Sequence, residues 1–248
     1  SKIDAAKHSR PILKLLVRRF REVWPKVKII FRGDSGFCRW KLLRWCDRHD
    51  IDYIVGLAQN AVLKRLVKPH LQQARKQFEQ TGQKQRIFAE TQYAAATWDR
   101  KRRVIVKAEY NTQGSNPRFV VTNLAGDAQA LYDDLYCQRG DMENRIKEQQ
   151  LDLFAGRTSC HEFLANQFRL LLSSAAYVLI ESLRRLGLKG TELAKAQAGT
   201  IRLKLLKIGA RISCSVRRIV LHLAGGYPLK ELFARILSRL RNPLAVPT

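Results

Sequence analysis

"VKIIFRGDSGF", residues 27–37, puts a carboxylate, Asp34, at the end of a short apolar run. The run has the β-branched and aromatic residues of a buried strand, and Gly33, Ser35 and Gly36 are the small residues of a tight turn. An acid at that point is either a turn former or half of a metal site. Working outward, "RWKLLRWCDRH" (39–49) reads as a helix and "IDYIVGL" (51–57) as a second strand with little polar interruption. Strand, helix and buried strand in succession predict parallel pairing in an α/β sheet. Upstream, Ile12, Leu13, Leu16, Val17 and Phe20 recur at helical spacing between Ala5 and Arg21, and Pro25 ends that helix.

Downstream the pattern changes. A helix is predicted from Ala61 to Phe78, after which "RIFAETQYAAATW", "RRVIVKAEY" and "RFVVTNL" alternate as short β runs over 86–124, separated by "DRKR" and "TQGSNP". These runs predict a β-rich antiparallel insertion. Helical periodicity returns over Gln129–Leu151 and Glu162–Leu186, the second more apolar and so expected in the core. Residues 184–248 hold 14 Lys or Arg against two Glu, in an expected hairpin, "IRLKLLKIGARISCSVRR" (201–218), followed by a helix after Pro228.

The 248 residues are 46% apolar, enough for a packed core, and 46 Lys plus Arg against 21 Asp plus Glu give a net charge of +25. Charge of that size favours a polyanionic partner, with nucleic acid first. The longest apolar run, "LLLSSAAYVLI" (170–180), is short of a bilayer span of roughly 18 residues, so no membrane partner is expected. Five cysteines without a C-x-x-C pair point to small buried hydrophobes in a reducing cytoplasm rather than to a zinc ribbon or disulfide framework.

A second carboxylate stands in "YCQRGDMENRIKEQQ", residues 136–150. On an α-helix Tyr136, Arg139, Glu143 and Lys147 share one stripe. An Arg139/Glu143 pair at i, i+4 is also an ordinary ornament of a solvated helix.

Taken with "RGDSGF", the strand–helix–strand pattern and the β insertion, this Y-x2-R-x3-E-N motif resembles the group-1 DDE transposases of bacterial insertion sequences over nearly the whole chain. The resemblance implies a ribonuclease-H-like core, here in segments 1–57 and 128–186, with the β-rich insertion at 58–127 and a basic C-terminal region at 187–248. It implies metal-dependent cleavage and transfer of DNA strands at transposon ends. Asp34 and Glu143 would be catalytic and would ligate Mg²⁺ or Mn²⁺, hard ions that prefer oxygen. Tyr136, Arg139, Asn144 and Lys147 would support them or contact phosphate. Lys147 stands in for the basic residue that the family often has seven positions after the Glu, where this chain has Gln150. The partners would be double-stranded transposon ends and target DNA, with a homodimer in a synaptic complex.

Trp98 with Arg100, Lys101, Arg102 and Arg103 reads either as an insertion tip that grips DNA or as a tryptophan covering the sheet beside solvated charges. Lys204, Lys207 and Arg211 are further DNA-binding candidates in the basic region. The family's triad begins with an Asp on a first strand far upstream. The only acids before Asp34 are Asp4 and Glu22, both assigned to the helix before the strand. The expectation is therefore a C-terminal portion with an incomplete core, inactive alone. The alternatives are a non-catalytic DNA-binding remnant and a basic RNA-binding protein.

Overall fold

The computed structural model describes residues 6–241, so Asp4 lies outside the described residues. The chain forms two compact units, Ser1–Gly140 and Asp141–Thr248. In the first, helix α1 (Ser9–Val23) leads to strand β1 (Ile30–Gly33), helix α2 (Trp40–Arg48), strand β2 (Asp52–Gly56) and helix α3 (Ala61–Thr81). Strands β3 (Gln85–Tyr93), β4 (Arg102–Asn111), β5 (Gly114–Ser115) and β6 (Arg118–Thr122) follow. As the sequence predicts, β1 and β2 pair in parallel, Ile30 opposite Asp52. The β-rich stretch does not form a sheet of its own. Its strand β6 pairs antiparallel with β2, giving one mixed sheet in the order β1-β2-β6-β4-β3, with β5 on β4.

Period-two alternation assigns the two faces of that sheet. Tyr53, Val55, Val104, Val106, Phe119 and Val121 face a core closed by α1, α2 and α3, through Val17, Leu42, Leu43, Cys46, Leu63 and Val67. Ile54, Ile105 and Val120 face the other way, against Leu124, Ala128 and Tyr132. Among the described residues of this unit three charged groups are buried, and each has partners. Arg102, 3% exposed, donates to Tyr53, Asp47 and Asp99 at 2.9–3.0 Å. Lys107 meets Glu109 at 2.9 Å, which spares both the cost of an unpaired buried charge. Glu22, on α1, lies 3.2 Å from Arg19.

The expected helix over Gln129–Leu151 is not one regular α-helix. A short helix α4 (Ala128–Ala130) passes into a π-helical stretch, Leu131–Tyr136, then a 3₁₀ turn, Cys137–Arg139, and only then helix α5 (Gly140–Asp152). The 3.6-residue period behind the predicted stripe holds only from Gly140 onward, because π and 3₁₀ turns wind at other periods.

In the second unit, helix α6 (Phe163–Ser182) runs on into π-helical Leu183–Gly187. Helix α7 (Ala198–Ile201) continues into π-helical Arg202–Leu206, and strands β7 (Ala210–Cys214) and β8 (Ile219–Leu223) form a hairpin before helix α8 (Lys230–Arg241). The hairpin expected over 201–218 is thus shorter and later. Ile201 and Leu205, four apart, point into the same small core, so "IRLKLL" folds as a helix. That core joins Ile180, Leu188, Leu193, Ala198, Leu232 and Ile236.

Helix α6 corrects a further expectation. Its apolar face is mostly exposed, with Phe163 at 76% and Leu164 at 73%, and only Ser173 and Ile180 of its residues buried. Phe163–Gly187 is also long and apolar enough to cross a membrane by length and composition, because the apolar character extends upstream of "LLLSSAAYVLI" through Phe163, Leu164 and Phe168 with Arg169 as the one charge there. A single helix of this kind does not define a membrane protein. The cysteines depart from expectation too: all five are free thiols, but only Cys46 is buried, and Cys137 and Cys214 are exposed. Burial raises the Cys46 thiol to about 12 and Cys38 to about 11.

Candidate active site

Asp34 follows the last residue of β1. It has extended backbone and caps the short 3₁₀ turn Ser35–Phe37, its Oδ1 accepting from the Gly36 N–H at 2.8 Å. Phe37 packs edge-on against Phe31 and anchors the turn in the core. A Cβ at Gly33 would stand 3.0 Å from the Phe37 Cβ, closer than an ordinary contact, so a glycine there spares the turn a tight approach. The sequence posed turn former and metal ligand as alternatives for Asp34. The capping bond fills the first role and occupies only one of its two oxygens.

Beside this turn lies a cleft of about 240 Å³, lined by Asp34, Gly56, Gln59, Arg118, Tyr136 and Arg139 among others. Tyr136 is brought here by the π-helical stretch, which is tied back to the sheet at two points. Arg32 of β1 donates to the Leu135 carbonyl at 3.0 Å, and Arg86 of β3 grips Asp133 through two bonds of 2.7 and 2.8 Å. A Cβ on Gly56 would stand 2.6 Å from the Tyr136 hydroxyl and 3.0 Å from the Ser35 nitrogen. The end of β2 therefore has to be glycine for the phenol and the Asp34 turn to approach one another. Burial raises the Tyr136 pKa, Arg139 opposes this and Asp34 adds to it, so the phenol is a neutral donor at physiological pH. Three of the residues singled out in the sequence, Asp34, Tyr136 and Arg139, thus line one cleft. Gln59 and Arg118 were not anticipated. Nothing local in "AQN" or "NPRF" marks them, since it is the β2–β6 pairing that sets them beside Asp34.

Glu143, Asn144 and Lys147 are exposed on α5, in the second unit. The buried acid of that helix is Glu148, 6% exposed, which sequence reasoning passed over. It accepts from the Arg184 guanidinium and from the Ala198 backbone N–H, while Arg184 also holds Glu181. Asp152, one turn on, accepts from Gly199 N at 2.8 Å. These carboxylates pin α5 to α6 and α7.

Of the proposed DNA-contacting residues, Arg100 and Lys101 are exposed, Arg100 lying 2.8 Å from Asp47. Arg102 is buried in the network around Tyr53. Arg103 is engaged with Glu90 and with the Leu124 and Gly126 carbonyls. Trp98 packs on the core, edge-on to Tyr93 and under the Arg102 guanidinium. Lys204, Lys207 and Arg211 are exposed in the second unit.

A carboxylate oxygen at a cleft is the donor a hard divalent cation prefers, and Asp34 fits that chemistry. Among the described residues no group of three or more His, Cys, Asp or Glu side chains gathers closely enough to hold a metal ion. The mixed α/β sheet is compatible with a ribonuclease-H-like transposase domain of the DDE type. The chain belongs to the transposase DDE domain group 1 family, whose model matches residues 1–244. A comparison with curated proteins gives no match. The family acts on DNA and normally uses divalent metal ions.

Proposed function

We propose that the chain serves DNA transposition by binding transposon-end and target duplexes, with Asp34 and Glu143 as the carboxylates of metal-dependent strand cleavage and transfer. The observation that carries this reading is the convergence of Asp34, Tyr136 and Arg139 on one cleft in a chain of net charge +25. In this reading 1–57 and 128–186 belong to the ribonuclease-H-like core, 58–127 is the insertion and 187–248 the basic region.

Asp34 and Glu143 would hold Mg²⁺ or Mn²⁺, which when bound would activate a water or a DNA 3′-hydroxyl and neutralise the leaving oxygen. The side chains of the cleft do the rest. Asp34 enters the reaction already fixed by β1 and by its bond to Gly36, so little freedom is lost in aligning it. Arg139 and Arg118 hold a phosphate against the cleft, and the Tyr136 phenol donates to a phosphate oxygen. Asn144 and Lys147 on α5 are further phosphate contacts. Arg100, Lys101, Lys204, Lys207 and Arg211 grip the duplex backbone elsewhere, while Arg102 stays with Tyr53 and Asp47.

A fluorescence titration with duplex DNA tests the reading. If roughly six to ten phosphates are contacted, affinity falls about 10³- to 10⁵-fold between about 50 and 200 mM salt, with little dependence on sequence. A flat salt titration would overturn it. Metal-dependent cleavage that persists in Asp34→Ala would show that the chemistry belongs to other residues.

A further inference from the structure

The face made by α1 and α2 carries cations that the catalytic reading does not use. Two adjoining clefts open there, of about 350 and 390 Å³, and they share Arg10, Trp40 and Lys41. Arg44 and Arg48 extend the first and Lys7 extends the second. Among the described residues lining the two clefts there is no carboxylate. Arg44 and Arg48 also line a neighbouring cleft with Asp47 and Asp99, acids that Arg100 and Arg102 already pair at 2.8 and 2.9 Å. A surface so arranged attracts a polyanion.

The aromatic residues narrow the choice. Trp45 packs on the core and stacks on His49 at 4.4 Å, so it has a structural task. Trp40 is different. It is half-buried but not part of a core cluster, and two cations lie over its ring, Lys41 Nζ at 5.6 Å and the Arg44 guanidinium at 6.0 Å from the ring centre. Duplex DNA keeps its bases stacked inside and presents phosphates, for which an indole is of little use. An unpaired strand presents both: phosphates for the cations and bases for the ring.

We propose that the α1–α2 face is a binding site for single-stranded DNA, with Trp40 as the stacking platform and Arg10, Lys41, Arg44 and Arg48 as backbone contacts. The proposal rests on the DNA-acting reading above and adds a strand state to it.

The test uses the full chain and a short fluorescein-labelled oligodeoxythymidine, with a duplex and an oligouridine of equal length as comparisons. Trp40→Ala weakens oligodeoxythymidine binding roughly 5- to 150-fold, the range for one stacked base, and changes duplex binding far less. Trp40→Phe, which keeps an aromatic face, stays close to wild type, and matching melting curves show that both variants fold. Arg10→Ala with Arg44→Ala lowers the salt slope for the single strand by about 1.4. Unchanged oligodeoxythymidine affinity in Trp40→Ala overturns the proposal, as does tighter binding of oligouridine. Duplex binding without single-strand binding defeats this inference alone, whereas loss of both defeats the DNA-acting reading with it.

Discussion

The two units solve burial in opposite ways. In the first, a six-stranded sheet has helices α1 to α3 against one face and the Leu124–Tyr136 segment against the other, with an apolar cluster buried on each side. In the second, the apolar cluster is small, α6 leaves most of its hydrophobic side chains exposed, and both strands of the β7–β8 hairpin are exposed along their length. What organises the second unit is a charged network, Glu148 with Arg184, Glu181 and the Ala198 N–H. The first unit can lose one polar contact and keep its core. The second has little apolar burial in reserve.

The largest effect should therefore come from breaking that network. Arg184→Ala leaves Glu148 buried without its guanidinium, and removing one partner of a buried pair costs about 3–5 kcal/mol. Hydrogen exchange should show protection lost in α5, α6 and α7 while the sheet of the first unit keeps its protection. Equal loss in both units would erase the distinction drawn between them.

A smaller and more local effect is expected at the cleft. Gly56→Ala places a Cβ 2.6 Å from the Tyr136 hydroxyl, and overpacking of this kind costs about 1–3 kcal/mol. The thermal midpoint should fall, and the near-ultraviolet signal of Tyr136 should change as the phenol is pushed away from the Asp34 turn. A variant indistinguishable from wild type in both measurements would mean that the approach of β2 to Tyr136 is not a tight one.

What could be read in the sequence follows the same division. The parallel β1–β2 pair, α1, α2, α3 and the antiparallel strands were legible because their apolar residues keep a strict period on a sheet buried on both faces. So was Asp34, since a carboxylate closing an apolar run before two small residues stands out. The second unit was harder. The composition of "LLLSSAAYVLI" fixes a helix but not whether anything covers it, and "IRLKLL" alternates like a strand while its buried pair, Ile201 and Leu205, is helical. Glu148 was hidden because charged residues on a helix normally face water, and only the approach of Arg184, 36 positions away, makes its burial tolerable. Trp98 and Arg102 read in sequence either as a DNA-gripping tip or as a tryptophan covering the sheet beside solvated charges. Their packing against Tyr93, Tyr53 and Asp47 depends on pairings across the sheet that local pattern does not encode.

In the proposed function Asp34 binds metal on a scaffold that holds DNA by other residues. The most direct measurement is Mn²⁺ binding, followed by the electron paramagnetic resonance of the free ion, for wild type and Asp34→Asn in the presence of duplex DNA. Wild type is expected to remove Mn²⁺ from solution, Asp34→Asn to do so measurably less, and both to bind the duplex with the same affinity. Equal Mn²⁺ binding by the two proteins would contradict it.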